Sequence, residues 1–277
     1  MRPRQARVAV PSLALLLIAP LLAGACNESE RVDLVFRAPP GSEAAYAIDL
    51  ESTVVTELAG PPETSTETVA LDARQVVVGS GGGGDVALQI TMGRVGERPR
   101  AFTVRLDTSR GVAEVDAVEG LTIEVLGELG PSRLILLASG LLPGRPLRPG
   151  GAWDINQDLE LPEGPERLSG EGRLVGLRIS NGVELARVRA STSLPVDRRM
   201  SLPQGTVRMS GVERTTAVLD YDVSDGTLYG ARSVTTGRFA LVVHAPGGEP
   251  GPIEGTLEVR VESRTRRAPD GSKGATA

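Results

Sequence analysis

The sequence predicts a mainly β protein made of two similar antiparallel β lobes that are joined by a short helical connector. Apolar and polar residues alternate with period two along many segments, which is typical of strands with one buried face. Several segments recur roughly 100 to 115 residues later in the chain, which indicates an internal duplication. A leucine-rich segment between the two sets of strands has helical spacing instead.

The alternating segments predict the strands themselves. Gly, Pro, Asn and Asp, the residues that favour turns, separate one segment from the next. An antiparallel sheet with one face on a core and the other in solvent produces this alternation. The clearest segments are 32–36, 46–50, 86–90, 102–106, 174–179, 183–188, 218–222, 239–243 and 257–261.

Three pairs of segments carry the repeat, and they occur in the same order in both halves. "PGSEAAYAIDLE" at 40–51 resembles "PGGAWDINQDLE" at 149–160, and "GDVALQIT" at 84–91 resembles "GVELARVRA" at 182–190. The third pair is "LDTSRGV" at 106–112 and "YDVSDGT" at 221–227. Three weak matches in register are better evidence for a repeat than any one of them alone.

Each half contains an Asp-x-Ser-x-Gly motif that predicts a hairpin. Asp107 or Asp222 can accept hydrogen bonds from the turn backbone, and Gly111 or Gly226 supplies the positive φ that the turn needs. A calcium loop is not expected, because "DVSDG" lacks the further carboxylates and the distal Glu that oxygen ligation requires.

The connector predicts two short helices at 122–129 and 131–139, with Pro131 suited to a first helical position. Leu134, Leu137 and Leu141 follow helical spacing, and apolar residues also fill the other faces, so the helix is expected to be buried. Two alternatives stay open. These leucines pack between the lobes or across a sheet, or they line a cavity and bind an apolar ligand.

The N-terminus has the composition of a secretory signal peptide. Arg2, Arg4 and Arg7 precede an apolar run at 8–22, and three small residues follow at 23–25. A membrane-spanning helix needs about 20 apolar residues, and this run is shorter and contains two prolines.

The segment Leu22-Ala23-Gly24-Ala25-Cys26 resembles a bacterial lipobox. The resemblance implies that the chain is cut before Cys26, that Cys26 carries the lipid, and that the membrane is a partner through this anchor. Cys26 is the only cysteine of the chain. Asn27 stands where an Asp would resemble an inner-membrane retention mark, so the expected location is the cell envelope, in the outer membrane if the cell is Gram-negative.

The expected organisation follows from these segments. Removal of the signal peptide changes the formal net charge from −5 to −8 because three arginines leave with it. The predicted parts are a signal peptide at 1–25, a lipidated tether at 26–30, a first β lobe at 31–120, a helical connector at 121–145, a second β lobe at 146–263 and a disordered tail at 264–277.

A second resemblance covers most of the mature chain. "RPLRPGGAW" at 145–153, followed by "GRLVGL" at 172–177, resembles a family of uncharacterised bacterial secreted proteins and lipoproteins. A broader, fold-level likeness is to periplasmic lipoprotein and lipid carriers. The resemblance supplies no catalytic residues to carry over to this chain.

The chain contains few of the residue types that nucleophilic or metal-dependent catalysis uses. His244 is the only histidine, and no Gly-x-Ser-x-Gly elbow occurs, so neither a nucleophilic site nor a zinc site is expected, and no cofactor is predicted. The acidic balance argues against nucleic acid as a partner. A hydrolase stays open as an alternative, because two clusters of acidic residues could supply paired carboxylates. These clusters are Glu114, Asp116 and Glu119, and Asp154, Asp158 and Glu160.

The sequence therefore predicts a membrane-anchored envelope lipoprotein that is not an enzyme and acts as a binding or scaffold module. Its expected partner is a lipid or another envelope protein. A carrier of lipid or another apolar ligand is the first alternative, and a carboxylate-based hydrolase is the second.

Overall fold

The computed structural model describes residues 31–80, 85–107, 111–118, 131–161, 164–202, 205–244 and 251–269. The signal peptide, Cys26 and the tether lie outside the described residues, as do the predicted helix at 122–129 and residues 270–277.

The described residues form thirteen strands and one helix. Along the chain these are β1 (Val32–Leu34), β2 (Glu43–Leu58), β3 (Glu63–Ser80), β4 (Asp85–Arg94), β5 (Arg100–Asp107), β6 (Gly111–Val118), α1 (Pro131–Leu137), β7 (Arg145–Leu147), β8 (Ala152–Leu161), β9 (Gly164–Ser180), β10 (Val183–Leu202), β11 (Gly205–Asp222), β12 (Leu228–His244) and β13 (Ile253–Arg267).

Eleven of the strands close into one barrel. Their order is β10-β11-β12-β13-β2-β3-β4-β5-β6-β8-β9, and β1 and β7 pair separately with each other. Every neighbouring pair in the barrel is antiparallel except β6 and β8, which are parallel where Glu114 lies opposite Glu160. An odd number of strands requires such a pair, because directions cannot alternate all the way around a ring of eleven.

The prediction of two lobes is wrong, because the two repeats are halves of a single barrel. The first half contributes β2 to β6, and the second contributes β8 to β13. The halves meet twice, where β6 pairs with β8 and where β13 pairs with β2. Each half-sheet therefore buries its apolar face against the other half, and neither half has a core of its own.

The repeat itself has a structural counterpart at the start of each half. Gly41 and Gly150 precede β2 and β8 with φ angles of 84° and 86°. The N–H of Gly41 donates to the Val77 carbonyl on β3, and the N–H of Gly150 donates to the Leu174 carbonyl on β9, both at 2.7 Å. Glycine accepts this positive φ without strain, which explains why the Pro-Gly step recurs.

The predicted alternation of buried and exposed residues is confirmed on strands such as β2, but not at 174–179, where Val175, Leu177 and Ile179 are exposed. On β2 the side chains of Tyr46, Ile48 and Leu50 are buried, while Asp49 and Glu51 between and beside them are exposed. On β2 the apolar face points into the barrel and charged residues face outward. No helix in the described ranges has the length and apolar content needed to cross a bilayer.

The helix predicted at 131–139 is confirmed as α1, but it is not a connector between lobes. Residues 134–142 are buried and belong to the barrel core. The indole Nε1 of Trp153 donates to the Leu141 carbonyl at 3.2 Å, and Gln157 Nε2 donates to the Gly140 carbonyl at 2.9 Å. Trp153 and Gln157 point inward from β8, so the helical segment packs against the inside of the barrel wall.

Close packing inside the barrel depends on Gly172 of β9, which lies directly opposite Trp153. A Cβ atom on Gly172 would overlap the Trp153 indole ring. The missing side chain therefore makes the space in which the only tryptophan of the chain packs.

The last strand also differs from expectation. β13 continues to Arg267, so Arg264 to Arg267 belong to the barrel and not to the predicted tail. This strand closes the barrel by pairing with β2, from Gly255 opposite Leu58 to Arg267 opposite Tyr46.

The longest strands form one side of the barrel. β2, β3 and β9 to β13 contain 15 to 20 residues each, whereas β4 contains 10 and β5 contains 8. We call the outer face of these seven long strands the long-strand wall.

Candidate anion-binding groove

A groove of about 740 Å³ crosses the long-strand wall. Its volume is in the range of small-molecule sites, but the groove is open and shallow, and its floor is the backbone of the sheet. The charged side chains that line it are Asp49, Glu51, Arg189, Arg232, Glu262 and Arg264.

The strand register places three arginines in one row across the groove. Arg189 of β10 lies opposite Val218 of β11, which lies opposite Arg232 of β12. Arg232 in turn lies opposite Arg264 of β13, which lies opposite Asp49 of β2. Since neighbouring strands are about 4.8 Å apart, the backbone positions from Arg189 to Arg264 span about 14 Å.

These three arginines have no ion pair or hydrogen bond within the described part of the chain. All three side chains are exposed. Elsewhere on the outer wall, arginines such as Arg74 and Arg208 are held by Glu43 and Asp197, at 2.6 and 2.7 Å. The row is therefore a concentration of positive charge that the protein itself does not neutralise.

The acidic side chains of the groove neutralise the charge of the arginine row only in part. Asp49 accepts a hydrogen bond from Arg266 at 2.6 Å, and Glu262 accepts one from Arg260 at 2.7 Å. Glu51 is the lining acid without an arginine partner in the described residues. Three free guanidinium groups thus face one free carboxylate, and the unpaired charge of the groove is positive.

A partly buried carboxylate holds three strands of the wall together beside the row. Asp220 of β11, two residues from Val218, has a side chain that is only 14% exposed. It accepts two hydrogen bonds from Arg187 at 2.9 and 3.1 Å, and two from Arg178 at 3.4 and 2.9 Å. Burial opposes ionisation of this carboxyl, but the arginine hydrogen bonds and charges outweigh burial and hold the pKa of Asp220 below its usual value.

The chemistry that this arrangement supports is anion binding. A guanidinium group presents paired N–H donors that match phosphate, sulfate and carboxylate oxygens, and it stays protonated at every physiological pH. The sheet register fixes the spacing between the strands that carry the donors, and the Asp220 cluster ties β9, β10 and β11 together.

The residues predicted from the connector lie elsewhere. Leu134, Leu137 and Leu141 are 0%, 2% and 2% exposed and pack in the barrel core, and none of them lines the groove. Their burial agrees with the packing alternative. Lining of an apolar cavity remains a prediction, and Cys26 lies outside the described residues.

The predicted Asp-x-Ser-x-Gly hairpin between β11 and β12 is confirmed. Asp222 Oδ1 accepts hydrogen bonds from the Ser224 backbone N–H at 2.9 Å and hydroxyl at 2.6 Å, and Gly226 has a φ of 73°. Gly111, at the matching hairpin between β5 and β6, has a φ of 101°. Within the described ranges, no group of three or more acids, cysteines or histidines could hold a metal ion.

The carboxylates considered for hydrolysis lie on the outer face of the barrel. Asp154, Asp158 and Glu160 are exposed on β8, and Glu114 forms an ion pair with Arg105 at 2.8 Å. His244 is exposed at the end of β12. The side chain of Asp116 and the whole of Glu119 lie outside the described positions.

The arginine row was not found from the sequence. Arg189, Arg232 and Arg264 belong to three different strands and share no local motif. The available signal was their outward position in each alternating strand, but that position says nothing about which strands are neighbours or in what register.

Comparison with known proteins finds little similarity. No family model and no curated protein matches the chain. Among solved structures, OmpF of Salmonella typhi in complex with daunomycin is 10% identical, with a TM-score of 0.23 over 82% of this chain and 98% of that chain. A loop L8 deletion mutant of OmpT, an outer membrane protein of Vibrio cholerae, is 9% identical, with a TM-score of 0.20 over 83% of this chain and 100% of that chain. The chain is a closed β-barrel protein, and the comparisons assign it to no family.

Proposed function

We propose that this protein is a lipid-anchored lipoprotein of the cell envelope that acts as a non-catalytic binding module, with the arginine groove as its binding surface. The class of ligand is an anion that bears phosphate or sulfate groups. The observation that carries the proposal is the row of Arg189, Arg232 and Arg264, which is positive, exposed and unpaired within the described residues.

The anchor is supported by the lipobox-like segment that ends at Cys26. A barrel with charged residues on its outer wall does not enter the hydrocarbon layer, so its membrane association depends on the lipid. Several acyl chains on one residue hold a protein firmly, whereas a single chain binds only marginally. In a Gram-negative cell the expected location is the outer membrane.

Cys26→Ser is expected to abolish anchoring. The variant cannot accept a diacylglycerol, so it should leave the membrane fraction and keep the mass of an unlipidated chain. Cell fractionation and intact-mass spectrometry measure both properties. Ser29→Ala, a change in the same predicted tether, is the matched control and should stay with the membrane. A Cys26→Ser chain that remains in the membrane fraction after a high-salt wash, which screens electrostatic contacts with headgroups, contradicts the anchor.

Arg232→Gln is expected to weaken anion binding, because Arg232 is flanked in the row by Arg264 and, across Val218, by Arg189. Inositol hexakisphosphate is a suitable soluble probe, since its phosphates can reach several arginines. Loss of one charge-assisted contact should raise the dissociation constant about tenfold or more. Calorimetric titration of the Cys26→Ser chain measures it.

The control for this titration is Arg98→Gln, which removes an exposed arginine from the turn between β4 and β5. It makes the same change in net charge outside the groove. Equal weakening by both variants would show that the probe senses the total charge of the protein, and that the groove is not the binding surface.

A further inference from the structure

The described chain enters the barrel beside the hairpin between β11 and β12. The backbone N–H of Arg37 donates to the Asp225 carbonyl at 2.8 Å. A Cβ atom at Gly226 would lie 2.8 Å from Phe36 Cα, so this part of the chain packs tightly on the hairpin between β11 and β12. The described start of the chain therefore lies at the end of the barrel where this hairpin lies, which we call the hairpin end.

The arginine row lies close to the hairpin end. Arg232 is four residues from Leu228, the first residue of β12, which corresponds to about 13 Å along the strand. The segment from Cys26 to Arg31 covers at most about 17 Å when fully extended. An anchor at Cys26 would therefore keep the hairpin end, and the row beside it, near the headgroups.

The groove differs in charge from the protein as a whole. The chain has a formal net charge of −5. In the groove, the three arginines of the row are joined by Arg266 and Arg260, which pair with two of its three acids, so five arginines stand against three carboxylates. An anionic surface would repel most of the barrel and attract the groove, which selects one orientation of the protein.

We propose that the groove binds the phosphate groups of anionic lipid headgroups in the membrane that carries the anchor, so that the barrel lies with its long-strand wall against the bilayer. This inference rests on the proposed function and names its ligand. The open, shallow groove fits a surface that presents many phosphates side by side.

The test uses the full chain with Cys26→Ser, so that binding does not depend on the lipid. Flotation with vesicles of phosphatidylcholine, with or without phosphatidylglycerol, measures the partition coefficient. We expect binding only to vesicles that contain phosphatidylglycerol, with a decrease as salt rises. Arg189→Gln, Arg232→Gln and Arg264→Gln combined should lower the coefficient about 100-fold, because each basic residue at an anionic surface contributes about fivefold.

Two further variants test whether vesicle binding depends on the charge of the groove. Arg98→Gln, Arg145→Gln and Arg148→Gln combined make the same change in net charge at exposed positions outside the long-strand wall, and should retain nearly all of the binding. Glu51→Gln removes the groove acid that has no arginine partner in the described chain, and should raise the partition coefficient several-fold.

The outcomes separate this inference from the proposed function. Groove-dependent binding of inositol hexakisphosphate without vesicle binding overturns the membrane ligand and leaves the proposed function intact. Groove-dependent binding of poly-glutamate with no vesicle binding also overturns it and assigns the groove to an acidic protein. Loss of binding to every anionic probe in the unsubstituted chain overturns both. Equal loss in the two triple variants overturns the orientation.

Discussion

Replacement of Trp153 with alanine is expected to destabilise the barrel by about 3–5 kcal/mol, the usual cost of removing a buried large aromatic side chain. Trp153 is 7% exposed and packs over Gly172 inside the barrel. Its Nε1 also donates to the Leu141 carbonyl, which is buried. The substitution therefore opens a cavity and leaves a buried carbonyl without its donor.

Guanidinium unfolding followed by circular dichroism measures this loss, since Trp153 is the only tryptophan and its fluorescence disappears with it. Trp153→Phe keeps a ring but not the hydrogen bond, so it should cost less than the alanine variant. Val95→Ala is the surface control, because Val95 is 61% exposed and its substitution should change stability by less than about 0.5 kcal/mol. A Trp153→Ala chain as stable as this control contradicts the packing described here.

Asp220→Asn is expected to cost about 1–2 kcal/mol at neutral pH, because the ionised carboxylate holds two arginines. The expected loss of stability is no larger because Arg178 and Arg187 are 39% and 42% exposed, and solvent screens their charges. The folded-state pKa of Asp220 lies below its ordinary value. Its contribution is therefore complete above the unfolded pKa of about 3.9 and is lost as pH falls through the folded pKa.

The gap in stability between the natural chain and Asp220→Asn should accordingly shrink when pH falls below about 4. Urea unfolding at neutral and acidic pH measures it. Asp197→Asn is the matched control, because its ion pair with Arg208 lies on the same sheet with side chains that are more than half exposed, 56% and 53%. It should leave the unfolding midpoint nearly unchanged, and a larger effect than that of Asp220→Asn would contradict the importance of burial.

Much of the barrel wall was predictable from the sequence, because each strand carries its own alternation. The inward positions of Tyr46, Ile48 and Leu50 follow from period two alone. The helix at Pro131 followed from leucine spacing. These features depend on neighbours in the chain, which a sequence displays directly.

The arrangement of these parts was not predictable. A repeat shows that two halves are alike, but two half-sheets can close separately or together, and only the pairing of β13 with β2 and of β6 with β8 decides it. The sequence predicted a connector between two lobes because it does not show that the two half-sheets close together. In the structure, the helical segment lies inside the barrel. The arginine row depends on the register of four strands, which no single segment encodes.

The parallel contact between β6 and β8 determines where the barrel opens locally. In the described residues these strands meet at one register pair, Glu114 opposite Glu160, whereas β10 and β11 pair along eighteen positions. Both residues are acidic, and like charges on adjacent strands repel, although the ion pair of Glu114 with Arg105 offsets part of this repulsion. Among the described strands of the barrel, β6 and β8 are therefore the most weakly paired. Local opening of the barrel is expected to start there and to expose the buried helical segment.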